Sequence, residues 1–341
     1  MELRNIYAGK TVLVTGATGL IGSNLVERLL KFKGIRLIAM GRDRVKLERV
    51  FARILPCSEF RVMAHDVTQP IPPAVGNVDF IFHAASPISG KMIQEEPVSV
   101  IAANLRGTEN CLKYLVEQRK ATGVVGTFVA FSSATVYGHP AGGDRTFTED
   151  ETAEAGMLDS TEAAYSESKR MTEVMARAYG CQFGIDVRIV RFGYVYGHCA
   201  VTPKTAFYEF VAKAIRGEDL VFNKSGFARR DNIYIDDAVS GLLCVCEKGV
   251  SGEAYNVSAC SDGGNYAAID EMAELIAAAV NGRVNSPIKV VVAPCDQRAA
   301  GVRLDNSKLK TLGWRIEHSL PDGISRVVES YASAGPSGFR S

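Results

Sequence analysis

Tyr165 and Lys169 stand four residues apart and are the side chains of this chain best suited to proton transfer. Residues 163–179 have the pattern of a helix, and positions i and i+4 of a helix share a face. A free tyrosine is a poor base at neutral pH because its pKa is about 10. We expect the Lys169 ammonium to stabilise the phenolate and lower the pKa of Tyr165, although the same spacing also occurs by chance on surface helices.

A glycine-rich turn near the N-terminus is the second chemical feature. An apolar run at 10–15 leads into Gly16, Gly19 and Gly22, and an amphipathic run at 21–32 follows directly. Strand, glycine turn and helix in this order are typical of a dinucleotide-binding site. Gly16 permits the tight turn, Gly19 the approach of a pyrophosphate and Gly22 the close packing of the helix, whose N-terminus attracts phosphate.

A serine at a strand end is the third feature. Ser133 ends the apolar run at 127–131, and the carboxyl ends of strands are where an open parallel sheet binds its ligands. A hydroxyl group there can hydrogen-bond a substrate hydroxyl or a developing oxyanion.

Together these features resemble the extended short-chain dehydrogenase/reductase family, specifically its nucleotide-sugar branch, over about residues 8–331. Further ordered matches are Asp66-Val67, His83-Ala84-Ala85-Ser86, Asn104-x-x-Gly107-Thr108-x-Asn110, Arg230-Asp231-x-x-Tyr234-x-Asp236-Asp237 and Tyr255-Asn256-Val257. The resemblance implies an α/β fold, a Rossmann-type doubly wound parallel sheet with a smaller C-terminal substrate-binding lobe. It also implies a homodimer that pairs through helices at 98–119 and 163–179.

The resemblance assigns roles to individual residues. The catalytic residues would be Ser133, Tyr165 and Lys169. The cofactor NAD(P) would be bound by Gly16, Thr18, Gly19, Leu20, Ile21, Gly22, Arg42, Asp66, Val67, Ala84, Ala85, Ser86, Asn104, Tyr165 and Lys169. A nucleotide-diphosphate sugar would be bound by Ser133, Tyr194, Lys204, Arg230 and Arg303. Of the cations, Lys204 and also Arg298 are the weaker candidates. Any of these cations could instead be a solvated surface group.

Composition limits the function classes. The chain has 341 residues, a net charge of +1 and no long basic run, so neither nucleic acid nor an anionic membrane is indicated as a partner. No apolar run approaches the ~18 residues of a membrane span, and the N-terminus lacks a secretory pattern. The eight cysteines form no C-x-x-C pair, and the histidines show no metal-ligand spacing. We therefore expect a cytoplasmic protein without a metal site.

Short apolar runs alternate with helical patterns in the first half, which favours βαβ units. We predict strands at 11–15, 36–40, 60–64, 79–83, 127–132 and 187–191, and helices at 21–32, 44–54, 98–119 and 163–179. After Gly197 the pattern predicts helices near 205–215, 236–247, 267–280 and 320–332 among irregular segments. The predicted organisation is a Rossmann domain at 1–197, a substrate lobe at 198–334 that returns one or two elements to the sheet, and a tail at 335–341.

The choice between NAD and NADP depends on the end of the second strand. An NAD site usually has an acidic residue there for the ribose 2′-hydroxyl, but Gly41 occupies that position and Arg42 follows it. A guanidinium suits a 2′-phosphate, so NADP is slightly favoured. The alternative is that Arg42 stacks on adenine or faces solvent while Asp43 serves the ribose.

The residues after Ser133 narrow the reaction. Dehydrating relatives have Asp-Glu at the positions of Ala134 and Thr135, and decarboxylating relatives have glutamate at the second of them, so both reactions are disfavoured. The pattern Ser-Ala-Thr-Val-Tyr-Gly is similar to that of UDP-galactose 4-epimerases. We therefore expect a 4-epimerase, with an NADPH-dependent 4-keto nucleotide-sugar reductase as the alternative and a non-catalytic dinucleotide-binding regulator as a third. One departure is Tyr194, where relatives usually have asparagine.

Overall fold

The computed structural model describes residues 6–333 except 88–89, 139, 141–142, 152–162, 223, 225, 261, 282–283, 285 and 295–297. The predicted tail at 335–341 lies outside the described residues. The strands in this part of the chain are β1 Thr11–Thr15, β2 Arg36–Gly41, β3 Phe60–Ala64, β4 Phe80–His83, β5 Thr127–Ser133, β6 Arg145–Phe147, β7 Asp186–Phe192, β8 Tyr194–Tyr196, β9 Leu220–Val221, β10 Arg230–Tyr234, β11 Ala254–Val257, β12 Tyr266–Ala267, β13 Val290–Val291 and β14 Val302–Leu304.

Helices cover both faces of the sheet and build the second half. They are α1 Leu20–Leu29, α2 Arg44–Val50, α3 Gly90–Glu95, α4 Pro97–Thr122, α5 Ala163–Phe183, α6 Ala206–Ile215, α7 Ile235–Lys248, α8 Ile269–Val280, α9 Ser307–Thr311 and α10 Leu320–Ser333. Local signals explain several ends. Asp43 caps α2 by accepting from the Lys46 N–H, and α4 begins at Pro97 and ends before Gly123, whose φ is +75°.

The main sheet is a seven-stranded parallel sheet in the order β11-β7-β5-β4-β1-β2-β3. The central strands are buried on both faces, which is why they read as continuous apolar runs, whereas β3 at the edge is largely accessible. Val12 and Val14 belong to the core shared with α1 and α7, whereas Leu13 faces α4 and α5. The strand order reverses between β1 and β4, so a crevice opens at their carboxyl ends, and the Rossmann-type fold expected from the sequence is confirmed.

The second half builds a smaller layer. Short strands form a sheet in the order β12-β10-β14-β6, with β8 paired to β10, and β9 pairs β13. Elements cross the predicted boundary after Gly197 in both directions, because β6 lies in the small sheet and β11 extends the main one. The boundary itself stays a prediction. None of the helices in the described part of the chain is both long and apolar enough to cross a membrane.

Candidate active site

The glycine turn after β1 lies against the end of β4. Gly16 has φ +62°, and a Cβ there would lie 2.6 Å from the backbone nitrogen of Ala85. A Cβ on Gly22 would lie 2.4 Å from the Gly16 carbonyl oxygen, so α1 packs directly on the turn. Only glycine fits at either position, because the obstacles are backbone atoms.

The start of α1 has the properties of a phosphate site. Gly19 precedes the helix without a side-chain cap, is exposed, and a Cβ there would contact only the Gly16 carbonyl oxygen within 4 Å. Thr18 and Ile21 are partly exposed beside it, whereas Leu20 is buried. Free N–H groups at an open helix N-terminus attract an anion, so this turn fits the pyrophosphate of a dinucleotide.

The three predicted catalytic residues come together at the end of β5. The Tyr165 side chain lies close enough to those of Ser133 and Ser86 for hydrogen bonding to both to affect its pKa. The Lys169 ammonium donates to the Phe131 carbonyl oxygen at 2.7 Å, and this side chain is only 5% exposed. The helix and strand therefore hold the hydroxyl groups and the ammonium within one small volume, as the sequence predicts.

The expected lowering of the tyrosine pKa is not found in the protein alone. Burial raises the pKa of Tyr165 above its ordinary value, and its bonds to Ser133 and Ser86 only partly oppose this. The Lys169 nitrogen lies 5.8 Å from the Tyr165 ring centroid and donates its hydrogen bond to the Phe131 carbonyl oxygen. Burial also lowers the pKa of Lys169 to about 7. The spacing in the sequence predicts that Tyr165 and Lys169 share a helix face, but it does not predict that both side chains are buried and lose their hydration.

Buried polar side chains fix the far side of Tyr165. The Ser86 hydroxyl donates to Asn104 Oδ1 at 2.7 Å, and Asn104 Nδ2 donates to Ser168 Oγ at 2.8 Å. Ser168 in turn donates to the Tyr165 carbonyl oxygen at 2.9 Å. Asn104 is 1% exposed, so the middle of this chain of bonds is shielded from water, whereas Ser86 is partly exposed. Sequence reasoning missed Ser168, although its position between Tyr165 and Lys169 was a usable signal.

His83 lies beneath the same site. Its Nδ1 is 2.8 Å from Thr15 Oγ1, and among the described residues its buried Nε2 has no hydrogen-bond partner. Burial, with a smaller contribution from Lys169, lowers the pKa of His83 to about 3. The imidazole is therefore neutral at ordinary pH and adds no charge next to the Lys169 ammonium.

The region where the adenosine is expected is more open. The pKa of Asp66 is lowered, mainly because its carboxyl group accepts a hydrogen bond from the Thr68 N–H. Arg42 is exposed and lies close enough to Asp66 to add a smaller contribution. Val67 is buried in the core shared with α4, so Asp66 is the accessible member of the pair. Asp43 Oδ1 caps α2, which makes it a weaker candidate for the ribose than the sequence alternative assumed.

The segment after Ser133 carries no acid. Ala134–Tyr137 forms a short 3-10 helix, and the Thr135 N–H donates to Ser133 Oγ at 3.2 Å. The Thr135 hydroxyl is buried and has no hydrogen-bond partner among the described residues. Neither Ala134 nor Thr135 can act as a general acid or base here.

The predicted substrate residues spread over the small sheet. The Arg230 guanidinium lies 5.3 Å from the Tyr194 ring centroid, and that of Arg303 lies 4.9 Å from the Tyr266 ring centroid. Arg230 pairs with Val302, so Arg303, the next residue on β14, faces the other side of the small sheet. The structure thus places Arg230 beside Tyr194 but does not bring Arg230 and Arg303 together.

The remaining two cations differ in their surroundings. Lys204 is exposed, in the segment that precedes α6. Arg298 forms a bidentate ion pair with Asp270, at 2.9 and 2.8 Å, which favours a structural role for this weaker candidate.

Comparison with known proteins agrees with this geometry. The chain is 29% identical to UDP-glucuronic acid decarboxylase 6 of Arabidopsis thaliana over 322 residues, 94% of this chain and 88% of the relative. It is 26% identical to the UDP-N-acetyl-alpha-D-glucosaminuronate decarboxylase of Bacillus cytotoxicus over 258 residues, 73% of this chain and 74% of that protein.

A solved structure with the same fold is that of DesIV, a dTDP-glucose 4,6-dehydratase from Streptomyces venezuelae with bound NAD. The TM-score is 0.78 and the identity 25%, over 97% of this chain and 98% of that chain. The family model described as "NAD dependent epimerase/dehydratase family" matches residues 12–258. The chain therefore belongs to the NAD-dependent epimerase/dehydratase family.

Proposed function

We propose that this chain is a nucleotide-sugar 4-epimerase in which Tyr165 acts as the base at the sugar O4. The observation that carries the proposal is the Ser133–Tyr165–Lys169 group at the end of β5, next to a segment that lacks a carboxylate. This set of groups is sufficient for reversible oxidation of a secondary alcohol and for nothing that needs a further acid.

Each residue has a defined part in the proposal. Tyr165 would act as the phenolate, which the Lys169 ammonium and the positive charge of an oxidised nicotinamide would favour against the effect of burial. It would remove the proton of the C4 hydroxyl while Ser133 donates a hydrogen bond to the same oxygen. A nicotinamide cofactor held at the glycine turn and the start of α1 would supply the acceptor for the hydride of C4 and the donor for its return. Tyr165 then gives its proton back to the oxygen of the sugar, which has turned so that its other face is reduced. The Ser86–Asn104–Ser168 bonds keep the phenol ring in place through both steps.

The residues that would hold the dinucleotide fit its parts. The glycine turn and the open start of α1 suit the pyrophosphate, and Asp66 suits the adenosine. The neighbour DesIV was solved with NAD, whereas the exposed Arg42 favours NADP in this chain because only NADP offers it a 2′-phosphate. An NADPH-dependent 4-keto reductase is the corresponding alternative.

The substrate would lie between the main sheet and the small sheet. Arg230 is the strongest candidate for its diphosphate because the guanidinium is exposed and held over Tyr194. Where relatives usually have an asparagine amide to contact the substrate, Tyr194 would offer the face of its ring. Arg303 and Lys204 are weaker candidates, since Arg303 faces the other side of the small sheet and Lys204 is exposed.

A uronic acid decarboxylase is a second candidate, favoured by the relatives with that name. Both reactions begin with oxidation at C4. A 4-keto uronic acid is a β-keto acid, which loses carbon dioxide readily, so the substrate that the lobe accepts would decide between them. Thr135 argues against this candidate only if a carboxylate at its position is required.

Two substrates given to the same enzyme would separate these functions. The purified chain is incubated with UDP-glucose and, separately, with UDP-glucuronic acid, with NAD or NADP, and the products are identified by proton NMR. The proposal expects the C4 epimer and retention of C6. Release of carbon dioxide from the uronic acid favours the second candidate. A further incubation with a 4-keto nucleotide sugar and NADPH tests the reductase, which is favoured if only this substrate turns over and NADPH is consumed. Tyr165→Phe should abolish whichever reaction is found.

We also propose a homodimer built through α4 and α5. These helices pack together, and their outer faces expose Val98, Ile101, Met171 and Val174. Exposed apolar side chains in one patch are typical of an interaction surface. Met175, on the same helix, is half-buried and packs against the core, so it does not belong to this exposed surface.

A further inference from the structure

Glu173 is a buried carboxylate that stands one helical turn beyond Lys169. It is 4% exposed, on the same face of α5 as Tyr165 and Lys169. It accepts from Ser132 Oγ at 2.5 Å and from the Nε and Nη2 of Arg191 at 2.9 and 2.8 Å. Arg177 adds a longer, half-exposed bond at 3.3 Å. A buried charge with this many partners is costly to assemble, which makes its place next to the catalytic lysine informative.

Three consecutive residues of β5 bind three successive turns of α5. The Phe131 carbonyl accepts from Lys169, the Ser132 hydroxyl donates to Glu173, and the Ser133 side chain bonds Tyr165. The Lys169–Phe131 and Ser132–Glu173 bonds each involve an ionised group, which makes them the stronger type. The Ser132–Glu173 bond therefore helps to restrain the rotation and sliding of α5 against the strand that carries Ser133.

Arg191 extends this restraint toward the substrate side. It is paired in register with Ser132 on the neighbouring strand β7, so one carboxylate bridges two adjacent strands. Its Nη1 donates to the Tyr137 hydroxyl at 2.7 Å, and Tyr137 donates to Asn256 Oδ1 at 2.9 Å. The Tyr137 ring stacks on Phe147 of the small sheet, with centroids 4.9 Å apart.

We propose that Glu173 is a positioning residue for the Tyr165–Lys169 pair, which holds the catalytic helix against β5 and β7 and balances the ammonium of Lys169. The inference rests on the proposed role of that pair in the chemistry. Glu173 itself does not reach the reacting atoms, so it acts through Lys169, Ser132 and Arg191.

The charges around Lys169 support this role. Burial lowers the pKa of Lys169 to about 7, and Glu173 is the charge that opposes this. His83, which approaches from β4, is neutral because its pKa is about 3, and Tyr165 on the same helix is uncharged because its pKa is raised. Arg191 on β7 and Arg177 on α5 are both paired with Glu173 itself. Among these groups, Glu173 is the one that supplies a negative charge beside Lys169.

The test measures the pKa of Lys169 directly, without any reaction. The chain is labelled with ¹³C at lysine Cε, and the Lys169 signal is identified by its loss in Lys169→Met. In Glu173→Gln the pKa of Lys169 should fall by about one unit or more, because a facing negative charge has been removed. Glu167→Gln is the matched control: the same substitution on the same helix, at a partly exposed carboxylate that pairs with Arg170, should leave that pKa unchanged.

A double variant, Glu173→Leu with Arg191→Met, covers the risk that an unpaired buried arginine unfolds the protein, since replacing both partners is often tolerated. It should lower the pKa of Lys169 as well. An unchanged Lys169 pKa in the folded single or double variant overturns the inference. The outcome is independent of the proposed function: a shifted pKa in a protein that turns over no nucleotide sugar would leave the inference standing and refute the function.

For the positioning role, Ser132→Ala removes one bond and keeps the charge. We expect the pKa of Lys169 to stay while kcat falls about tenfold and KM changes little. Equal kcat for Ser132→Ala and the unmutated chain would overturn the positioning role.

Discussion

The carboxyl end of β5, where the proposed catalytic residues lie, and the small sheet hold their charged side chains in different ways. At β5, the ammonium of Lys169 and the carboxylate of Glu173 are buried and bonded to consecutive strand residues. On the small sheet, Arg230 is exposed and packs over a ring, and Arg303 packs over another ring on the opposite face. In the first region, the hydrogen bonds between β5 and α5 fix the positions of the charged side chains. In the second region, these positions depend on the pairing of short strands of two to five residues.

In the proposed function, this difference assigns the chemistry to the first region and substrate specificity to the second. Groups that move a proton must keep one geometry, and buried bonds between a strand and a helix provide it. Groups that bind the substrate can remain exposed, because the ligand itself supplies many of the contacts that stabilise them. Substitutions at the first region should therefore change kcat, and substitutions at the second should change affinity.

The largest expected effect is at the catalytic pair. Tyr165→Phe and Lys169→Met should each lower kcat by ~10²–10⁴-fold or more, because a general base or the charge that supports it is removed. Circular dichroism and dinucleotide titration should remain close to those of the unmutated chain. A near-normal kcat in Tyr165→Phe would refute the assignment of the chemistry to this region.

The second prediction tests how buried the catalytic region is. Between pH 6.5 and about 3 the unfolded chain binds a proton at His83 that the folded chain does not, so the free energy of unfolding should fall as the pH decreases. The limiting slope from one group is about 1.4 kcal/mol per pH unit. His83→Gln should remove this part of the slope, measured by urea unfolding at several pH values. Parallel curves for both proteins would show that His83 titrates normally.

The third prediction concerns the outer surface of α5, away from the chemistry. Val174 is 56% exposed, so Val174→Glu should convert the proposed dimer into monomers without changing the core. Light scattering at micromolar concentration measures the mass, and Met171→Gln, a milder change on the same surface, should weaken the dimer less. A monomeric unmutated chain would refute the interface.

The smallest effect is expected at the adenosine end. Arg42→Ala should weaken NADP binding about tenfold and leave NAD nearly unaffected, because only NADP offers the guanidinium a 2′-phosphate. Isothermal titration calorimetry with both dinucleotides measures the difference. Equal losses for both would assign Arg42 to adenine or to the solvent-exposed surface.

Much of the fold could be read from the sequence because its signals are local. The predicted strands at 11–15 and 60–64 match β1 and β3, and the helix at 163–179 is α5 with one further turn. The strands of the small sheet were not predicted, since strands as short as β12 and β14 carry no periodic pattern and form only when partners from distant parts of the chain meet.

The sequence by itself determined the family resemblance, the proposed catalytic residues Ser133, Tyr165 and Lys169 and the glycine turn, because each depends on spacing within one element or at one strand end. Only the tertiary structure decided what surrounds them. Burial raises the pKa of Tyr165 and lowers that of Lys169, Glu173 and Arg191 meet although 18 positions separate them, and Arg230 and Arg303 face apart. Desolvation and register arise from packing between distant segments, which no local pattern encodes.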